Sequence, residues 1–215
     1  MNIARGGFAW IIPSYLITIL VITLFFLSQG VIRSVFLACS ILLILLSSLL
    51  VIFFRDPQRS IGSDLVAVAD GKIREIASTL DEDIGECVKI STFMNIHNVH
   101  VNRMPLDGTI QELIHHPGAH LPAYTKESER NERVVVVIQS PSGLIKVVLI
   151  AGTIARRIVP YISKADSLKK GQKIGVIRLG SRVDIYIPST MIKHVPVAVG
   201  DRKKAGEDTL AVLNG

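Results

Sequence analysis

The side chains with chemical capacity in this 215-residue chain are grouped rather than scattered. Five of its six histidines fall in two short segments, "NIHNVHVNR" with His97 and His100, and "HHPGAH" with His115, His116 and His120. Histidines this close invite a zinc reading, but zinc sites are built on characteristic Cys and His spacings. These spacings do not match one, and Cys87 is the only cysteine beyond the first 54 residues, so no metal is expected. In "VHVNR", strand alternation sets His100 and Asn102 on one face and Val99, Val101 and Arg103 on the other. If the valines face the core, His100 faces a cleft or solvent. The second notable feature is Gly180-Ser181, pressed between apolar residues in "GVIRLGSRVDIYIP". Glycine inside a strand pair ordinarily marks a bulge or tight bend, and the stretch alone says no more than that. The P-loop, the Rossmann glycine pattern, HExxH and GxSxG are absent, and with them the chemistries those motifs carry.

The elements that must position these residues are short β runs. From Asp64 onward the chain reads "LVAVA", "KIREIA", "CVKIS", "VHVNRMPL", "TIQELI", "RVVVVIQ", "LIKVVLIAGT", "RIVPYI" and "KIGVIRLGSRVDIYIP". Two Asp-Gly pairs and "SPSG" separate runs with residues typical of hairpin turns. No stretch carries an amphipathic-helix period, and roughly 150 residues suffice for one core. The fold class is therefore mostly β, with one sandwich or barrel-like domain over residues 55–215. "HHPGAHLPAYTKESERNER" is the exception, a long polar segment of the kind that is usually functional.

The front of the chain differs. Between Phe8 and Phe54 there is no Asp or Glu, and Arg33 is the only basic residue. Two apolar runs, about Phe8 to Leu27 and Val35 to Phe54, flank "SQGVIRS", and each approaches the ~20 residues that cross a bilayer as a helix. Residues 1–54 thus read as a transmembrane helical hairpin. Arg5, Arg55 and Arg59 flank its outer ends, so the positive-inside rule puts the β domain on the cytoplasmic side of the cell membrane. Of the formal net charge of +6, the hairpin holds +2, leaving a basic β domain that either is drawn to anionic head groups or carries ordinary solubility charge. Two cysteines without a CxxC pattern fit a reducing compartment.

Taken in order, "FFRDPQR", "VADGKI", "FMNIHNVHVNRMPLDG", "NERVVVVI", "IAGTIARRIV" and "KKGQKIGVIRLGSRVDIYIP" resemble the short-form phosphatidylserine decarboxylases, a group that includes the archaeal archaetidylserine decarboxylases. The resemblance runs from about Arg55 to the last of these strands and sets Gly180-Ser181 on the family's self-cleavage site. It implies a covalent pyruvoyl cofactor made from Ser181. Ser181 attacks the Gly180 carbonyl, converting amide to ester; β-elimination cuts the chain; the resulting dehydroalanine loses ammonia to become pyruvoyl. Glycine does not obstruct such an attack, and a serine needs a base to make it. Asp70 of "ADG" matches the family's processing Asp, and His100 matches the histidine associated with decarboxylation. The longer enzymes carry a processing histidine where Arg103 stands here, and arginine cannot act as a base near neutral pH. Either His100 serves both steps or a loop histidine such as His120 assists; His97 occupies a position the family does not require.

The implied reaction is decarboxylation of a serine glycerophospholipid, phosphatidylserine or archaetidylserine, to the ethanolamine lipid through a Schiff base, with His100 returning the proton. Arg103, Arg156, Arg157 and His120 are candidates to bind substrate phosphate and carboxylate. The two chains, 1–180 and 181–215, are expected to stay associated, in a homo-oligomer, with the membrane lipid as partner and no nucleic acid. A different class remains open: "KKGQKIGVI" and the alternating strands also look like lipoyl or biotinyl carrier domains, which would make this a membrane-tethered carrier or binding module. The lysine-bearing hairpin tip of a carrier is missing. A carrier stays one chain, whereas a decarboxylase becomes two.

Overall fold

Two apolar stretches of membrane-crossing length form long helices, α1 (Phe8–Leu27), which carries Pro13 in its second turn, and α2 (Gly30–Phe53). The computed structural model describes residues 2–119, 130–152, 157–177 and 181–214. Within these the chain forms two compact units, Met1–Gln58 and Arg59–Gly215.

In the first unit both helices are long and apolar enough to cross a membrane. At 1.5 Å per residue they extend about 30 and 36 Å. The second helix starts at Gly30, five residues before the expected Val35, because Val31–Ser34 contains no breaker; only Ser28 and Gln29 link the helices. Their contact uses small hydroxyl residues, as close helix packing in lipid favours. Thr18 and Ser47 are buried with their hydroxyls 3.2 Å apart, and Thr18 Oγ1 also donates to Ser14 O at 2.7 Å. Strands β1 (Asn2–Ile3) and β2 (Arg55–Asp56) pair antiparallel, fixing entry and exit of the hairpin at one end.

The second unit is β-rich. Its strands are β3 (Leu65–Val66), β4 (Gly71–Asp81), β5 (Gly85–Met94), β6 (Val101–Arg103), β7 (Gly108–His116), β8 (Arg133–Ser140) and β9 (Gly143–Ala151). There follow β10 (Ile158–Pro160), β11 (Ser167–Leu168), β12 (Lys173–Ile177), β13 (Ser181–Pro188), β14 (Ile192–His194), β15 (Arg202–Lys203) and β16 (Thr209–Leu213). Among the described residues the largest sheet has eight strands in the order β11-β7-β8-β9-β13-β5-β4-β15. Two three-stranded sheets, β10-β12-β6 and β14-β16-β3, contribute to the same core. The expected mostly-β domain behind a helical hairpin is what forms.

Two turn expectations need correction. Neither Asp-Gly pair closes a hairpin: Asp70-Gly71 joins β3 to β4, and Asp107-Gly108 joins β6 to β7, and in both cases the joined strands lie in different sheets. The aspartates serve as anchors instead. Asp107 accepts from the Lys170 amide at 2.8 Å and from Lys169 Nζ at 2.9 Å, which together hold its carboxyl below its ordinary pKa. Gly71 is needed for closeness, since a Cβ there would stand 2.3 Å from Phe93 O. The hairpin between β4 and β5 is turned by Asp81, whose Oδ1 accepts from the amides of Asp83 and Ile84. "SPSG" does turn a hairpin, β8 into β9, with Ser140 opposite Gly143.

Candidate active site

The large sheet places Ser181 in its middle. β13 lies between β5 and β9, with Ser181 opposite Met94 on one side and Ala151 on the other. Alternation then fixes the faces. Val183, Ile185 and Ile187 point into the core, and Ser181 shares their side, whereas Arg182, Asp184 and Tyr186 point to the opposite face. Ser181 is fully buried, and its Oγ has no hydrogen-bond partner among the described residues. A buried, unsatisfied hydroxyl is uncommon and marks a position held for something other than packing.

His100 reaches the same place from the smaller sheet. Val101 pairs with Val176, and the Ile177 amide donates to the His100 carbonyl at 3.3 Å. Residues opposite one another share a face, so His100 lies on the side of Ile177, a member of the main core, together with Asn102. This inverts the expected orientation. His100 is fully buried and on the core side, and Val101 and Val176, also buried, point the other way. Alternation identified the two faces but not which one the core covers, because both are covered. Ser181 follows Ile177 by four residues, a span of at most about 14 Å in extended chain. Since a carbonyl can only accept, the 2.9 Å contact of His100 Nδ1 with Asn98 O makes Nδ1 the protonated donor. Nε2 is then the ring atom left to exchange protons.

Asp70 stands at the same end of the large sheet. Lys72, Phe93, Arg182 and Ile150 form one row across four strands, and Asp70 precedes Lys72 by two residues. Its segment is tied to β6, because the Arg103 amide donates to Val68 O at 2.8 Å. Arg59 Nη2 donates to both Asp70 carboxylate oxygens at 3.0 and 2.8 Å, and the Ala205 amide donates to Oδ1 at 2.8 Å. Arg59 also approaches Glu207 at 3.4 Å. Its charge is thus consumed in a buried ion pair, whereas charge counting treats it as a membrane flank. The only sequence signal for this pair was the placement of "FFRDPQR" ahead of "VADGKI".

The candidate substrate groups separate. Arg103 is buried on the face opposite His100, donates from Nη1 to Gly171 O at 3.0 Å, and lines a cleft of about 670 Å³ with Lys170, Lys173 and Tyr161. Arg157 is exposed. Gly180, Arg156 and His120 lie outside the described residues. Two residues that sequence reasoning passed over border Ser181's neighbour: Asn131, fully buried, donates from Nδ2 to Ala151 O at 2.8 Å, and the Ala151 amide donates to Glu132 O. Glu132 Oε1 in turn meets His115 Nε2 at 3.0 Å and the Ile158 amide at 3.3 Å. On the outer face of the sheet, burial pushes the Asp184 carboxyl up from its ordinary pKa against the pull of Arg182, 2.9 Å away. Burial alone would lower Lys146, but its ion pairs with Asp81 and Asp83 outweigh it and raise the amine.

Comparison with known proteins bears on what this arrangement is for. The family model described as phosphatidylserine decarboxylase matches residues 46–211. The chain belongs to the phosphatidylserine decarboxylase family. As a member of that family it is a carboxy-lyase. Among the relatives, "Putative archaetidylserine decarboxylase proenzyme" of Methanococcoides burtonii is 39% identical over 214 residues, covering 97% of this chain and 95% of the relative. The phosphatidylserine decarboxylase proenzyme of Streptomyces coelicolor is 38% identical over 207 residues, 96% and 90% of the two chains. That of Desulfotalea psychrophila is 43% identical over 168 residues, 75% and 78%.

Proposed function

We propose that the chain is the proenzyme of a pyruvoyl-dependent decarboxylase of serine glycerophospholipids, cut by its own Ser181 into chains 1–180 and 181–215. The observation that carries this reading is Ser181 itself: a fully buried hydroxyl without a described partner, first residue of a central strand, four residues along the chain from Ile177, whose amide donates to the His100 carbonyl. Such a hydroxyl fits the group that would be made from it, because no competing hydrogen bond holds the oxygen away from the preceding carbonyl. In cleavage the Oγ–C bond to Gly180 forms as the Gly180–Ser181 C–N bond breaks. Elimination then leaves the Gly180 carboxylate on one chain, and hydration with loss of ammonia completes the new terminus on the other. Pairing on both sides of β13 holds the nucleophile in place for that step.

Once formed, a pyruvoyl ketone supplies an electron sink for loss of carbon dioxide from an amino acid head group. The chain's own residues do the rest. His100, oriented by Asn98, carries the proton that returns to the head-group α-carbon at Nε2. Asp70, fixed by Arg59 and the Ala205 amide, anchors the segment hydrogen-bonded to β6 and so supports His100. Arg157 is the exposed described cation among the substrate-binding candidates. The named relatives differ in lipid class and share the serine head group, which is where the chemistry falls. Helices α1 and α2 would keep the β domain, the unit from about residue 55 onward, at the cytoplasmic face of the membrane that holds this lipid, with the two chains associated and the enzyme a homo-oligomer.

Intact-mass measurement tests the reading. Purified protein is expected to give two chains meeting at Gly180-Ser181, the smaller gaining a hydroxylamine adduct, and Ser181→Ala to give one. A single uncut chain in active protein would overturn it and return the carrier reading.

A further inference from the structure

Asn102 is the second fully buried polar side chain on the core side of β6, and its hydrogen bonding is incomplete. Nδ2 donates to the His100 carbonyl at 3.4 Å, a long contact, and Oδ1 is buried with no partner among the described residues. Its cross-strand neighbour is Gly175, which offers no side chain. A buried carboxamide with an idle acceptor is rarely retained for packing, since an apolar residue of the same size would leave nothing unsatisfied. His100 and Asn102 are two residues apart on one strand face, so their side chains emerge about 6.6 Å from each other. That spacing suits a small ligand lying between them, with one atom addressed by each.

Resting on the functional reading above, we propose that Asn102 Oδ1 accepts a hydrogen bond from the amine of the serine head group and holds it beside Ser181. The α-carbon that His100 addresses is one bond from that amine, so a group adjacent to His100 on its own face is placed to meet it. An amide oxygen suits this task better than a carboxylate. The amine must be neutral to attack a ketone, and a neutral acceptor orients N–H without the Coulomb preference for ammonium that Asp would impose. Asn102 is then a binding residue specific for an amino head group, and it has no part in cutting the chain.

The test uses full-length protein in detergent with short-chain phosphatidylserine, comparing Asn102→Leu and Asn102→Asp. Both are expected to cleave themselves and to form the hydroxylamine adduct, which reports the carbonyl independently of turnover. Asn102→Leu loses the acceptor, so KM is expected to rise at least tenfold. Ethanolamine lipid should also no longer slow adduct formation. Asn102→Asp keeps an acceptor but favours ammonium, so KM is expected to stay near wild type while kcat falls at least tenfold. Wild-type KM and product protection in Asn102→Leu would overturn the assignment. If Asn102→Leu does not fold, Asn102→Asp decides, and a raised KM with unchanged kcat overturns it. A folded variant that fails to cleave moves Asn102 to the cleavage step and overturns it too. Wild-type protein that stays uncut and forms no adduct would instead refute the functional reading.

Discussion

At the scale of single residues, three side chains carry different burdens. His100 is assigned to proton return, so His100→Ala is expected to abolish decarboxylation while the adduct test still reports any carbonyl formed; wild-type turnover would remove His100 from the mechanism. Arg59 forms a buried ion pair with Asp70 at 2.8 Å, and removing one partner of a buried pair strands the other charge. Arg59→Ala is therefore expected to lower unfolding free energy by about 3–5 kcal/mol, read from denaturant melts of the uncut Ser181→Ala background. Asp184 acts through pH. Its folded pKa lies above its ordinary 3.8, so the native state binds the proton more tightly than the unfolded chain does. Its contribution is fully present below 3.8 and is lost as pH rises through the folded pKa. Asp184→Asn is expected to flatten that part of the Tm-against-pH curve, and parallel curves for both proteins would show that Asp184 does not titrate there.

At the scale of elements, the close approach of β4 and β5 beside Asp70 depends on Gly71. Gly71→Ala pushes a methyl group against a backbone carbonyl, so it is expected to cost about 1–3 kcal/mol and to slow cleavage, followed by gel after refolding. Unchanged cleavage would mean that the start of β4 is free to shift. The strand-rich domain and the two membrane-length helices were legible because alternation, β-branched runs and uninterrupted apolar stretches are local signals. What escaped was long-range. "DG" looks like a hairpin turn until its strands prove to belong to different sheets, a fact set by pairing and not by the turn residues. The Arg59–Asp70 pair, the burial of His100 and the brace of Asn131 on Ala151 all depend on which strands become neighbours. Only the ordered run of motifs pointed to Gly180-Ser181, since the stretch itself reads as a bend.

At the scale of the whole molecule, the hairpin and the β unit each hold their own contacts, and every residue assigned to cleavage lies beyond Arg55. A chain beginning at Arg55 is expected to cut itself in detergent-free buffer but to turn over bilayer substrate poorly, with dispersed substrate restoring much of the rate. The hairpin would act by effective concentration, a gain lost with the tether. A folded but uncut fragment would show that the helices belong to the catalytic fold. The central place of β13 has a further bearing. Cutting before Ser181 leaves a segment of 35 residues that fills the gap between β5 and β9 and also supplies β16, the partner of β3. The precursor can refold as one molecule, whereas the mature enzyme, once unfolded, must find its missing strands by collision. Refolding of the cut protein should therefore slow in proportion to dilution while that of Ser181→Ala does not, so breaking the bond before Ser181 would turn folding from a unimolecular step into a bimolecular one.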